Sequence, residues 1–224
     1  MQENNPVNRP SARKKIHFII NPASGTGRHN DLVDAVGKYM DPSRYECSLD
    51  LTDSPRHAIL LARQAIESNA DAIVARVNFY GWSLSGRRSL AEFFFNNLTN
   101  SKSMSGYTDV IFCPMHVTHL SQTLLAMLTK GLRGLYHVVG PEPMSKYKFG
   151  VEIARKFLLK DSEISPRSIH TSKLIARRAH NLYLSTHKLS TDLGTSLPSF
   201  STGLDLFYTQ FQQGYPQKLR SYAQ

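Results

Sequence analysis

The feature that most constrains this chain is a change of apolar period that repeats through its first third. "KKIHFIINP" is a continuous apolar run, led by lysines and stopped by Asn-Pro, the pattern of a buried strand. "NDLVDAVGKYM" then sets Leu32, Val33, Val36 and Tyr39 at helical spacing, and "YECSLDL" returns to strand character. "RHAILLARQAIES" is helical again, and "ADAIVA" is a third strand. Before that second helix, Asp53 or Ser54 can cap and Pro55 suits the first turn. Strand, helix, strand, helix, strand predicts a parallel sheet with crossover helices, so the expected fold class is α/β with helices on both faces of the sheet.

The loop after the first strand, "ASGTGRH", delivers Gly25 and Gly27 to a helix start. Unpaired backbone N–H groups and the positive end of a helix can hold a phosphate there, and small residues permit close approach. A dinucleotide-binding unit is a rival reading, with Asp50 near the end of the second strand as a ribose ligand. That reading needs a glycine fingerprint directly after the first strand. Asn21-Pro22 occupies that place and the third glycine is missing.

At "ADAIVARVNFYGW" the character changes, because a third strand runs on into an aromatic, polar edge instead of a second glycine loop. Downstream, "HVTHLSQTLLAMLTKG" is an amphipathic helix stopped by Gly131, and "GLYHVVG" is a strand. Ser145 caps a basic amphipathic helix over "MSKYKFGVEIARKFL", "STHKLSTDLG" is a short helix ending in glycine, and "STGLDLFYTQFQQG" is the terminal helix. His116 and His119 at the start of their helix read as packing residues. Charge divides at the same place. Residues 1–75 hold nine Lys/Arg against nine Asp/Glu, and residues 76–224 hold eighteen against eight, the whole of the +10 excess. The cations are scattered (Arg87 and Arg88, Lys146 and Lys148, Arg155 and Lys156, Arg177 and Arg178), and no nucleic-acid module accompanies them. Such a basic half can attract nucleic acid, membrane phosphates or a diphosphate-bearing metabolite, and the scatter argues against specific nucleic-acid binding.

"INPASGTGRH", "LTDSPRHAILLARQA" and "ADAIVA" closely resemble the start of the diacylglycerol kinase catalytic domain, shared with sphingosine kinases and bacterial lipid kinases. Asn21, Pro22, Ser24, Gly25, Thr52, Pro55 and Ala58 match its pattern. The resemblance implies nucleotide or phosphate binding by Asn21, Ser24, Gly25, Gly27 and Thr52. In that family the third strand leads into Gly-Gly-Asp-Gly-Thr, whose backbone holds ATP phosphates; here Ala75 is followed by Arg76 and the motif is missing. From Arg76 onward, "RVNFYGWS", "SLAEFFFNNL", "GYTDVIFCPMHVTHLSQTLLAML" and "LYLSTHKLSTDLGTSLPSFSTGLDLFY" resemble the C-terminal part of dTDP-4-dehydrorhamnose reductase-like proteins. These are extended short-chain dehydrogenases/reductases acting on nucleotide sugars. The resemblance implies that Asn78, Tyr80 and Trp82 line a substrate pocket, with Arg76 and Arg87 in its basic surround. The reductase family also needs a glycine-rich NAD(P) loop and a Tyr-x-x-x-Lys pair, and "YKFGV" is not that pair because Lys148 directly follows Tyr147.

The expectation is a chimera in a Rossmann-like α/β fold assembled from two partial domains. A disordered tail covers 1–13, a kinase-like segment 14–75, and a nucleotide-sugar reductase-like substrate region 76–224. The function expected is residual nucleotide or nucleotide-sugar binding, with no catalytic residue assigned and neither NAD(P) nor ATP-Mg given a complete site. A working NAD(P)-dependent nucleotide-sugar reductase, a lipid kinase remnant and a scaffold are the alternatives. Cys47 and Cys113 are too few for a disulfide framework, no Cys/His spacing suggests a metal, and no apolar run can span a bilayer. With a polar N-terminus in place of a secretion signal, the expected location is cytoplasmic. Helix and strand partners missing from each half leave apolar faces uncovered, which predicts low stability and association with a second copy.

Overall fold

The computed structural model describes residues 13–20, 38, 40–54, 57–68, 73–87, 89–171 and 180–222. Asn21, Ser24, Gly25, Gly27, Pro55, the N-terminal tail up to residue 12 and almost all of the first helix read from the sequence lie outside them. The chain divides into two compact units, Met1–Val74 and Ala75–Gln224.

In the first unit, strands β1 (Lys14–Ile20) and β2 (Tyr45–Leu51) pair in parallel, from Lys14↔Tyr45 to Ile20↔Leu51. This is the parallel pairing that a strand–helix–strand order dictates. His17 sits between the strands' side chains, its Nε2 3.0 Å from Asp50 Oδ2 and its Nδ1 2.6 Å from Ser48 Oγ. Asp50, the rival ribose ligand, is thus engaged by an imidazole. Helix α1 (His57–Glu67) buries Leu61 and Ala65, one turn apart, and leaves Ile59, Leu60 and Ile66 exposed. Asp53 meets the His57 imidazole at 2.6 Å, so its carboxylate is held at the mouth of this helix.

Strand β3 (Ile73–Val77) carries the chain across the boundary between the units. Then follow β4 (Phe79–Tyr80), α2 (Leu90–Thr99), β5 (Met104–Tyr107), β6 (Ile111–Phe112), β7 (Met115–His116) and α3 (Val117–Thr129). Strands β8 (Gly134–Val138) and β9 (Met144–Ser145) precede α4 (Lys146–Lys156), and β10 (Ile164–Arg167) and β11 (Asn181–Leu182) precede three further helices. These are α5 (His187–Leu193), α6 (Phe200–Gln212) and α7 (Tyr215–Ser221). The strands pair in separate short sheets of two or three strands each. β4 pairs with β7, β5 with β10 and β6 with β11, all in parallel, while β9 joins β6 antiparallel and β8 pairs with β3.

The helices end where their sequence signals place them. Ser145 Oγ accepts from Lys148 N at 3.1 Å to cap α4, Gly131 follows α3 at φ +67°, and Gly194 closes α5 in the left-handed conformation. One expectation is corrected. The helix read as terminal stops at Gln212, Gly214 turns the chain at φ +69°, and α7 begins with Pro216 in its first turn, where a missing N–H costs nothing.

The core of the second unit is aromatic. Tyr80, Trp82, Phe94, Phe149, Phe200 and Phe207 are all buried in one cluster. Gly150 lets α4 close on α2, because a Cβ there would lie 2.5 Å from the Phe94 ring. Phe207 is fully buried and stacks on Trp82 at 4.0 Å between centroids and 13° between planes. Phe207→Ala should therefore lower unfolding free energy by about 3–5 kcal/mol, the cost of truncating a buried phenylalanine, as read by urea denaturation. A loss below about 1 kcal/mol would show that this stack is not part of the core.

Candidate functional site

A cleft of about 340 Å³ opens in the second unit where two parallel strands end. The chain leaving β4 supplies Phe79, Gly81, Trp82 and Ser83; the start of α2 supplies Ser89 and Leu90; Val117 comes from the first residue of α3. Gly81 is required by this geometry, since a Cβ there would lie 2.5 Å from Val117 Cγ1. Phe79 is 56% exposed, an apolar ring left facing solvent at the lip.

The loop that walls the cleft is held by one carboxylate. Glu92 is 1% exposed. Its Oε1 accepts from Ser83 N at 2.8 Å, and its Oε2 accepts from Ser83 Oγ at 2.6 Å and Ser89 N at 3.1 Å. In return Ser89 Oγ accepts from Glu92 N at 3.1 Å, a capping box that starts α2. Gly86 turns the loop at φ +67°, and its carbonyl accepts from Asn96 Nδ2 at 2.7 Å. Both ends of the loop are therefore fixed to the first turn of one helix.

Of the residues singled out in the sequence that the structure describes, Trp82 alone is among those lining the cleft. Its indole Nε1 donates to Phe207 O at 3.1 Å, so it serves the core and the cleft at once. Tyr80 is 1% exposed and points into the aromatic core, where burial, with Asp205 and Glu142 adding to it, raises its phenol well above the ordinary range. Asn78 is half-buried and donates from Nδ2 to Leu182 O at 3.4 Å, while its carbonyl accepts from Met115 N at 3.0 Å. Arg76 and Arg87 are exposed. Thr52 is half-buried in the first unit. Phe79, Gly81, Ser83, Ser89, Leu90 and Val117 were not singled out. The Ser89-x-x-Glu92 spacing ahead of "FFF" is the signal that marks the start of this wall.

His116 lies opposite Tyr80 in the β4–β7 pairing and is 1% exposed. Its Nδ1 accepts from Thr118 N at 3.3 Å and caps α3. Burial, and then the neighbouring His119, pushes its pKa down to about 4, with Gln210 acting in the opposite sense. Burial also lowers His119. Among the described residues, those lining the cleft are apolar side chains, a glycine and two serines. Among the described residues, His, Cys, Asp and Glu do not gather in threes around a metal-sized centre, and no helix is long and apolar enough to cross a membrane.

The family model of the RmlD substrate binding domain matches residues 58–213, and the chain belongs to that family. The model of the diacylglycerol kinase catalytic domain matches residues 15–76, so both matches claim residues 58–76. No curated protein matches the sequence. Among solved structures, a dTDP-4-dehydrorhamnose reductase from Yersinia enterocolitica aligns at a TM-score of 0.60 and 11% identity, over 89% of this chain and 100% of that one. The reductase from Bacillus anthracis, solved in complex with NADP, aligns at 0.59 and 13% identity, over 89% and 99%. A dTDP-glucose 4,6-dehydratase from Streptomyces venezuelae, solved with NAD bound, aligns at 0.55 and 19% identity over 71% of this chain. This chain spans half the length of that dehydratase. At these identities the likeness concerns the fold, a Rossmann-like α/β arrangement of the nucleotide-sugar reductase type.

Two measurements probe the site's supports. Glu92→Ala leaves three donors in the wall loop without their acceptor and should cost about 1–3 kcal/mol for each one that stays buried, with new protease cleavage between residues 83 and 89. Unchanged stability and cleavage would mean that the loop is held by other contacts. His116 has a folded pKa below its unfolded value, so the unfolded chain binds the extra proton first. Stability is full above about pH 6.5 and falls as pH drops toward 4, by on the order of 3 kcal/mol. His116→Leu should flatten that acid limb in pH-dependent urea melts, and an unaltered limb would assign it to other groups.

Proposed function

We propose that this member of the RmlD substrate-binding family binds a nucleotide sugar in the cleft beside Trp82, without a complete oxidoreductase or kinase centre of its own. The observation that carries this reading is the position of the cleft. It lies at the carboxyl ends of β4 and β7, which pair in parallel, and ligands of open α/β sheets bind at such strand ends. Phe79 offers an exposed face to a base or sugar ring, and exposed Arg76 and Arg87 supply cations for a diphosphate. The cation excess of residues 76–224 favours the approach of such an anion. We assign the kinase-like segment a structural role, as part of a chimera acting in the cytoplasm.

A nicotinamide cofactor does not fit the residues present. None of the ten tyrosines is followed four positions later by lysine. Tyr147 and Lys148 are adjacent on α4 and point about 100° apart around its axis. Tyr80, beside the cleft in sequence, is sealed in the core. No hydride step is therefore derived. ATP-dependent phosphoryl transfer lacks the Gly-Gly-Asp-Gly-Thr loop in the same way. A working reductase remains the second reading, favoured by alignment over nearly the full length of two reductases.

The chain holds one tryptophan, and it lines the cleft, so binding reports on itself. Titration with a dTDP-sugar should change tryptophan fluorescence saturably, and added salt should weaken the binding. Arg87→Ala should weaken it roughly two- to fivefold, the range of an exposed ion pair. NADPH absorbance in the presence of a dTDP-4-keto sugar should stay constant. Steady NADPH oxidation that disappears in Asn78→Ala would replace this proposal with the reductase reading, and a flat fluorescence titration would remove both.

A further inference from the structure

The wall loop of the cleft touches a second helix besides α2. α7 starts where Gly214 turns the chain at φ +69° and runs to Ser221, beyond residue 213, where the family match stops. Seven residues do not sustain a helix in water by themselves, so α7 depends on what it docks against. Pro216 is buried, and half-buried Leu219 packs on the aromatic core. Gln217, Lys218 and Arg220 stay exposed.

Arg220 carries that docking to the loop. Its Nε donates to Pro216 O at 3.1 Å, one turn back along the same helix, which fixes the direction of the guanidinium. A Cβ built on Gly86 would lie 3.4 Å from Arg220 Nε and 3.5 Å from its Cζ. The guanidinium therefore rests against the bare backbone of the loop's turn. Gly86 sits there at φ +67°, and its N–H donates to Ser83 O at 3.0 Å to close the turn.

The loop's other tethers come from α2. Glu92 holds Ser83 and Ser89, and Asn96 holds the Gly86 carbonyl. Ala91, Phe94 and Leu98 bury the same helix in the core, so those tethers give way only if the core unpacks. α7 is the tether that can let go alone. Gly214 separates it from α6, and its hold rests on Pro216 and Leu219, which places it among the segments that open locally. We propose that α7 is a strap across the wall loop. Docked, it keeps Arg220 on Gly86 and the side of the cleft in place; swung away about Gly214, it frees the turn and widens the cleft. Arg220 is thus a positioning residue that acts on the cleft through Gly86, whatever the cleft binds.

The test is amide exchange in the full chain with no ligand present. In Arg220→Ala the Gly86 amide should exchange about tenfold faster, which is about 1.4 kcal/mol off its opening free energy, while amides inside α4 keep their rates. Leu219→Ala leaves the arginine in place, loosens the strap and should speed the Gly86 amide likewise. Acrylamide should quench Trp82 more strongly in both variants, because the indole lines the cleft. A Gly86 amide unchanged in either variant, an equal acceleration inside α4, or unaltered quenching would each overturn the proposal.

Discussion

Trp82 and Phe207 meet in two ways, and the rest of the second unit is arranged around that meeting. Their rings stack at 4.0 Å, and the indole N–H reaches the Phe207 carbonyl at 3.1 Å. The stack removes two large apolar surfaces from water, and the hydrogen bond fixes which way the indole faces. Because Trp82 leaves β4 and Phe207 lies mid-way along α6, one pair joins the sheet to a helix more than a hundred residues away in sequence. Phe95 and Phe157 then pack edge-on about this pair, and Phe211 lies nearly parallel to the indole, 6.0 Å from it. The cleft inherits its back wall from the same indole.

The wall loop obeys a different physics. It is held by Asn96 at the Gly86 carbonyl and by Glu92, a carboxyl group placed where water does not reach. A buried carboxylate is tolerated when donors surround it, and two serines supply them. Apolar packing thus sets the back of the cleft and hydrogen bonds, chiefly those to Glu92, set its side. The two supports respond differently to mutation, since truncating a ring leaves a cavity whereas truncating Glu92 strands hydrogen-bond donors.

Local signals made much of the fold legible in the sequence. The three strands and the second helix of the first third, the Ser145 cap and the stops at Gly131 and Gly194 depend on neighbours a few positions away, and the structure realises each of them. The glycine that ends α6 was legible, but the seven-residue helix after it was not, because "YPQKLRS" is too short to show an apolar period of its own. The site was harder to read. Tyr80 and Trp82 look alike as aromatic residues after a strand, yet one is sealed in the core and the other borders the cleft. The carboxylate of "SLAEFFF" announces a capping box, but its grip on Ser83 exists only once the chain has turned back at Gly86.

Phe79 and Tyr80 are neighbours on opposite faces of a two-residue strand, paired in register with Met115 and His116. A slip of one residue would put the phenylalanine where the phenol now lies and turn the phenol outward. Cleft lip and interior are therefore the obverse and reverse of one coin, struck together. Mutational drift cannot re-tune this cleft by small backbone shifts, because each shift is also a core substitution. Variation in the shape of the cleft must come from side chains that leave the β4–β7 register alone, chiefly Phe79 at the lip and the residues of the wall loop.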